Sequence, residues 1–327
     1  MTMVPFAHAN ATTVADTVGA LSATCRPLAG GTDLLGLMKS GLATPKQLVN
    51  LKTLEELSGV HVGTDGWRIG ALTTLSALAE DPALTGRPEV ACFTEAVLAS
   101  ASPQLRHMAT LGGNLLQKPR CWYYRNPLTR CWRKGGQTCY AFRGRNKYHV
   151  ILEGGPCYAV HPSDPAVALL AMDATVTLVG PDGSREIPLA EMYRLPSRQS
   201  RENTALAAEE LITEITVPMP PDGVRGAYVK VAERATWDFA LVSVAVQIRQ
   251  QDGVVERARI ALGGVATIPW LAEAAEEALV GRPLSEETIG QAAAAAVQDA
   301  KPLADNGYKV ELVQSLIRQA VAEAVAG

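Results

Sequence analysis

Helical and strand-like apolar patterns alternate along the first two-thirds of this chain and give way, after residue 218, to a run of strands and then of helices. The stretch 12–21 reads as an amphipathic helix, 26–28 as a short strand, Gly30-Gly31 as a turn and 33–39 as a second helix, with Thr32 and Asp33 as capping residues. Apolar runs at 47–51 and 67–69 predict strands. A helical pattern covers 74–79, and a longer helix is expected over 94–108. Further on, 158–161 is strand-like and 164–172 helical, and 175–179 reads as a strand that turns at Pro181-Asp182-Gly183 into 185–187. Helix and strand alternate without a strict βαβ repeat.

Pro218-Met-Pro-Pro-Asp-Gly223 is the strongest punctuation in the chain. After it, 226–231, 240–249 and 254–262 predict three strands, the last two joined as a hairpin through Gln251-Asp252-Gly253. Helices are expected over 270–279, 286–300 and 310–326. Strands followed by helices make an α+β layer, with helices on one face of an antiparallel sheet. The resulting division is 1–55, 56–218 and 223–327.

The 327 residues suffice for two or three small domains, and 47% hydrophobic content is ordinary for a globular chain. A net charge of -3 exerts no global pull toward nucleic acid or a membrane surface. No apolar run reaches the length of a membrane span, so membrane insertion is not expected, and the first residues lack the pattern of a secretory signal. The expected site is the cytoplasm; export together with a signal-bearing partner would leave no trace here.

Charge becomes informative locally. Between Lys118 and Cys157 the only acid is Glu153, against nine lysines and arginines. The same segment, about 117–158, holds Cys121, Cys131, Cys139 and Cys157 and eight aromatic residues. The spacing C-x9-C-x7-C-x17-C lacks the close pairs of a zinc ribbon, so an iron-sulfur cluster held by four thiolates is the sharper reading. Zinc, a disulfide-stapled loop and a basic nucleic-acid loop remain open on spacing alone, and the neutral chain as a whole weighs against the last. Cys25 and Cys92 lie in apolar contexts and read as core.

Two glycine turns precede this segment. Pro27-Leu-Ala-Gly-Gly-Thr-Asp-Leu34 and Thr110-Leu-Gly-Gly-Asn114 can each aim successive backbone N–H groups at a phosphate, or can be plain turns between elements. Neither is a G-x-G-x-x-G fingerprint or a P-loop. His161-Pro-Ser-Asp164 opens the following helix, where Ser163 or Asp164 is a helix cap or a partner for a sugar-like hydroxyl.

These segments, with Lys230-Val-Ala-Glu-Arg234, Trp237-Asp-Phe-Ala-Leu-Val242, Ala261-Leu-Gly-Gly-Val265 and Pro302-Leu-Ala-Asp-Asn-Gly-Tyr308, resemble in order the FAD-binding medium subunit of the molybdenum hydroxylases, the xanthine dehydrogenase, aldehyde oxidoreductase and carbon monoxide dehydrogenase family. The resemblance spans essentially the whole chain. It implies an α+β chain: a two-subdomain FAD cradle of the vanillyl-alcohol-oxidase-like (PCMH) type and a C-terminal α+β domain. Ala29, Gly30, Gly31, Thr32, Asp33 and Leu34, with Gly112, Gly113 and Asn114, would bind the FAD pyrophosphate. Asp164 would hold a flavin-chain hydroxyl and Lys230 the flavin region. Pro27, Leu28, Ser102, Thr110, Leu116 and Ser163 complete the expected cofactor site. Trp237 would lie against the flavin and obstruct a nicotinamide, so NAD is not the expected acceptor.

The cysteine segment resembles an insertion in the periplasmic aldehyde oxidoreductase and 4-hydroxybenzoyl-CoA reductase branches, which implies a [4Fe-4S] cluster on Cys121, Cys131, Cys139 and Cys157. The implied role is electron transfer within a heterotrimer. A large subunit with the molybdenum cofactor oxidises the substrate, an aldehyde by analogy with the cluster-bearing branch, a small subunit carries two [2Fe-2S] clusters, and FAD serves an external acceptor. No catalytic acid, base or nucleophile is identified in the chain. The competing readings are a self-contained flavin oxidase and a zinc-loop scaffold.

Overall fold

A computed structural model describes residues 3–326. Three sheets follow one another along the chain. The first is parallel, in the order β1 (Ala7–Asn10), β3 (Gln47–Asn50), β2 (Cys25–Leu28). Its crossovers are the helices Val14–Ala20, capped by the Thr13 side chain, and Leu34–Lys39. The expected Asp33 cap on the latter does not form; that carboxylate is drawn elsewhere.

The second sheet is antiparallel, in the order β4 (Val60–Gly63), β5 (Gly66–Gly70), β8 (Leu211–Pro218), β6 (Thr175–Gly180), β7 (Gly183–Pro188). Its central strand β8 has no counterpart in the pattern reading. Leu211 and Ile212 are both buried in succession where the register shifts beside Thr177 and Leu178, which breaks the alternation that marks a strand. The helix expected over 94–108 is in fact two, Ala91–Leu98 and Pro103–Arg106. Ala101 between them takes φ 54°, and Pro103 has no N–H to continue a helix. Residues 158–161 form no strand, only a bridge between Arg120 and Val160.

The third sheet is antiparallel, in the order β12 (Trp270–Leu271), β11 (Val254–Gly263), β10 (Val242–Gln251), β9 (Arg225–Val231). Asp252 and Gly253 at the hairpin both have positive φ, as a two-residue loop of this twist demands. The helices Glu273–Leu279, Glu286–Ala295 and Tyr308–Ala326 follow, and their apolar faces meet Val229, Val244, Val246, Ile260 and Leu262. Alternate positions, Tyr228, Ala245 and Ala261, join the core of the second domain instead. Both faces are therefore covered, which explains why 242–248 is buried without a break. No helix is long and apolar enough to cross a membrane among the described residues.

Candidate functional site

The first requirement of a dinucleotide site is met by the glycine turns, which the fold brings together. A Cβ on Gly30 would overlap the Met108 carbonyl and lie 3.2 Å from the Ala109 Cα, so turn 1 rests directly on the chain that enters turn 2. Turn 2 is pinned from behind, with Leu111 N–H donating to Thr73 O and Gly112 N–H to Ala71 O, each at 2.9 Å. Thr110 accepts from Gly113 N–H at 3.3 Å. Of the N–H groups of residues 110–114, only that of Thr110 is left without an acceptor among the described residues. In turn 1, by contrast, none of the N–H groups of residues 29–34 donates to another described residue. Six unpaired donors in one turn suit the oxygens of a pyrophosphate.

Pro27 and Leu28 end β2, Leu34 opens a helix and Thr32 is exposed. The Asp33 carboxylate faces away from any phosphate role. It accepts from Lys118 N–H at 2.8 Å and from Arg120 and Arg125 at 2.9 Å each, so only its backbone N–H is left for a ligand. Ser102 caps the helix Pro103–Arg106, and Leu116 closes the helix Leu111–Leu115 against the core.

Beside the turns runs a narrow cleft lined by His161, Ser163, Asp164, Phe239, Ser243, Gly263 and Gly264 among others. The Ser163 hydroxyl caps the helix Asp164–Ala171 and also bonds Asn114, which joins the cleft to turn 2. Asp164 is buried and fully engaged. Lys230 Nζ lies 2.7 Å from Oδ2, the Tyr228 hydroxyl donates to Oδ1 at 2.6 Å, and Ser100 reaches Oδ2 at 3.4 Å. Tyr228 and Lys230 stand two apart on β9 and so share one face. Burial, then the Asp164 charge, pushes the Tyr228 phenol well above its usual range, so it stays a donor. Burial pushes His161 down to about 3, and the neutral ring packs edge-on against Tyr193 at 4.9 Å. Ser243 Oγ is buried in the cleft wall beside the Tyr228 hydroxyl.

Trp237 is 61% exposed with φ 55°, and its N–H donates to the carbonyl of Ala101, the other strained residue of this region. The side chain of that segment that lines the cleft is Phe239, two residues on. Tyr228 and Ser243 lie outside the segments singled out by sequence, and Phe239 lies within the segment 237–242 without being named as a site residue. Only the i, i+2 spacing of Tyr228 and Lys230 was a usable signal.

The cysteine segment is irregular apart from the helix Trp122–Arg125 and a single 3-10 turn, Trp132–Lys134. All four of its cysteines are free; Cys121, Cys131 and Cys157 are buried and Cys139 is half-buried. Trp132, one residue after Cys131, packs with Cys121 and Cys157. Burial pushes the Cys121 thiol up to about 12, and Cys157 and Cys139 add to that by their proximity. Burial and then Cys157 also push up Cys139. Thiols placed so close need a cation to become thiolates together. Arg133 Nε lies 3.3 Å from Cys157 Sγ and His149 Nε2 3.2 Å from Cys121 Sγ, while Arg133 Nη2 and His149 Nδ1 are buried without partners. Among the described residues no three His, Cys, Asp or Glu side chains gather closely enough for one metal ion.

Comparison with known proteins accords with this geometry. Residues 4–220 match the model of the FAD binding domain in molybdopterin dehydrogenase, and residues 227–324 that of the CO dehydrogenase flavoprotein C-terminal domain. The aldehyde oxidoreductase FAD-binding subunit PaoB of Escherichia coli (strain K12) is 39% identical over 91% of this chain and 90% of that protein. The carbon monoxide dehydrogenase medium chain of Afipia carboxidovorans is 29% identical over 99% of each. The solved carbon monoxide dehydrogenase from Hydrogenophaga pseudoflava superposes with a TM-score of 0.79 at 27% identity, covering 100% of this chain and 99% of that one. With its unpaired turn and buried Asp164 site, the chain belongs to the FAD-binding subunits of the molybdenum hydroxylase family.

Proposed function

We propose that this chain is the electron-transfer subunit of a heterotrimeric, molybdenum-dependent aldehyde oxidoreductase. Its partners in this reading are a large subunit with the molybdenum cofactor and a small subunit with two [2Fe-2S] clusters, and an external acceptor other than NAD takes the electrons. The observation that carries it is the meeting of the two glycine turns with six N–H groups left unpaired in the first. The 39% likeness to an aldehyde oxidoreductase subunit supports the substrate class.

Bound FAD supplies the capacity to take up and release one or two electrons. The chain supplies position and field. Residues 29–34 present N–H donors to the diphosphate, and the buried ion pair of Asp164 with Lys230 fixes the wall of the cleft.

We further assign Cys121, Cys131, Cys139 and Cys157 to a [4Fe-4S] cluster, which supplies a one-electron relay. Support comes from the proximity of Cys121, Cys139 and Cys157, from Trp132 packed against Cys121 and Cys157, and from Arg133 Nε–H and the His149 ring beside the sulfurs. The iron-to-flavin ratio of anaerobically purified protein tests both assignments. About four iron atoms per FAD is the expected result; flavin without iron would remove the cluster, and iron without flavin the cradle.

A further inference from the structure

Arg120 stands one residue before Cys121, and its guanidinium touches both of the other domains. Nη2 donates to Asp33 in turn 1 at 2.9 Å. The guanidinium carbon lies 4.4 Å from the centre of the Phe239 ring, in the segment between β9 and β10 that lines the cleft. Burial first, then the neighbouring Arg125, pulls Arg120 down to about 10, so it remains a cation at neutral pH. Its Nε–H is buried without an acceptor.

Phe239 is 41% exposed, and no core holds its ring. A side chain in that situation keeps its rotamer freedom unless a flat partner stacks on it. Guanidinium does this while its in-plane N–H groups serve a carboxylate; an ammonium group has no such face. Cys121 is thereby joined to the cleft by one peptide bond and one stacking contact.

We propose that Arg120 is a positioning residue for the flavin: from the cysteine loop it fixes Phe239 at the cleft and Asp33 in turn 1, so that this loop forms part of the cofactor site. The inference rests on the FAD assignment and not on the cluster. The test is a fluorescence titration of FAD into flavin-stripped full-length chain, purified with any subunits that accompany it, as wild type, R120Q, R120K, F239L and the double variant R120Q/F239L. R130Q, at an exposed arginine, is the control. Expected are a roughly tenfold weaker FAD affinity for R120Q, smaller losses for R120K and F239L, and a double variant no weaker than R120Q. The flavin absorbance bands should shift in R120Q and F239L alike. Wild-type affinity in F239L, or fully additive losses in the double variant, would overturn the proposal. Should R120Q fold poorly, F239L still decides, since its ring is exposed. Iron measured on the same samples keeps the two readings apart: iron-free wild type would sink the cluster and leave the FAD comparison valid.

Discussion

Single residues in this protein are chosen for what they do when water is removed. Lys309 is fully buried, and its Nζ donates to Gly264 O at 2.7 Å, beneath the turn that floors the cleft. Burial pushes its pKa down to about 7, against roughly 10.4 in an unfolded chain. Below pH 7 both states carry the proton and the folded state bears the full cost of a buried charge. Between about 7 and 10 the unfolded chain binds more protons than the folded one, so stability rises with pH across that window. Urea unfolding at a series of pH values should show this rise, and Lys309→Met should flatten it. An unchanged slope in the variant would locate the effect elsewhere.

At the scale of elements, the two glycine turns act as one unit. Gly30 has no room for a side chain because the Met108 carbonyl occupies its place, whereas Gly31 is needed for its φ of 71°. Gly30→Ala must therefore push the turns apart. It is expected to cost about 1–3 kcal/mol in stability and to lose FAD during gel filtration; a variant that keeps its flavin stoichiometrically would show that the contact is not part of the cradle. Most helices were legible because their starts are written locally: Thr13, Thr74, Ser163 and Ser285 each cap the helix that follows. The interrupted helix at Ala101 and the unpredicted β8 show the limit of such reading. In the first, a left-handed residue meets the exposed Trp237 loop, and in the second a register shift hides the strand period.

Across the whole molecule, the cysteine loop is the tie between domains. Its start is held at Asp33 in the first domain and its end at the third. There Asn306 Nδ2 donates to His149 O and Val150 O, while Asn146 and Asp305 exchange two bonds. Lys301 N–H donates to Ile151 O at 2.7 Å, and Ile151 N–H to Val265 O at 2.9 Å. This gives the motif 302–308 a mechanical meaning. Asn306→Ala should strand buried carbonyls at about 1–3 kcal/mol each. Limited proteolysis should then cut first within 117–158 while the sheets stay intact; an unaltered digestion pattern would refute the tie.

What the sequence alone determined is whatever neighbours in the chain decide: the three-part order, the glycine turns, the hairpin at Asp252-Gly253, the four cysteines and the motifs that mark the family. Local backbone preferences and short spacings carry that information directly. The tertiary structure decided which polar groups are left free and which are spent. It gave Asp33 to arginines 87 and 92 residues away, and Tyr228 to an aspartate 64 residues earlier. It also left turn 1 with six open donors and turn 2 with one, that of Thr110. Contacts between residues so distant leave no periodic trace in a single sequence, because each depends on where two separate elements come to rest.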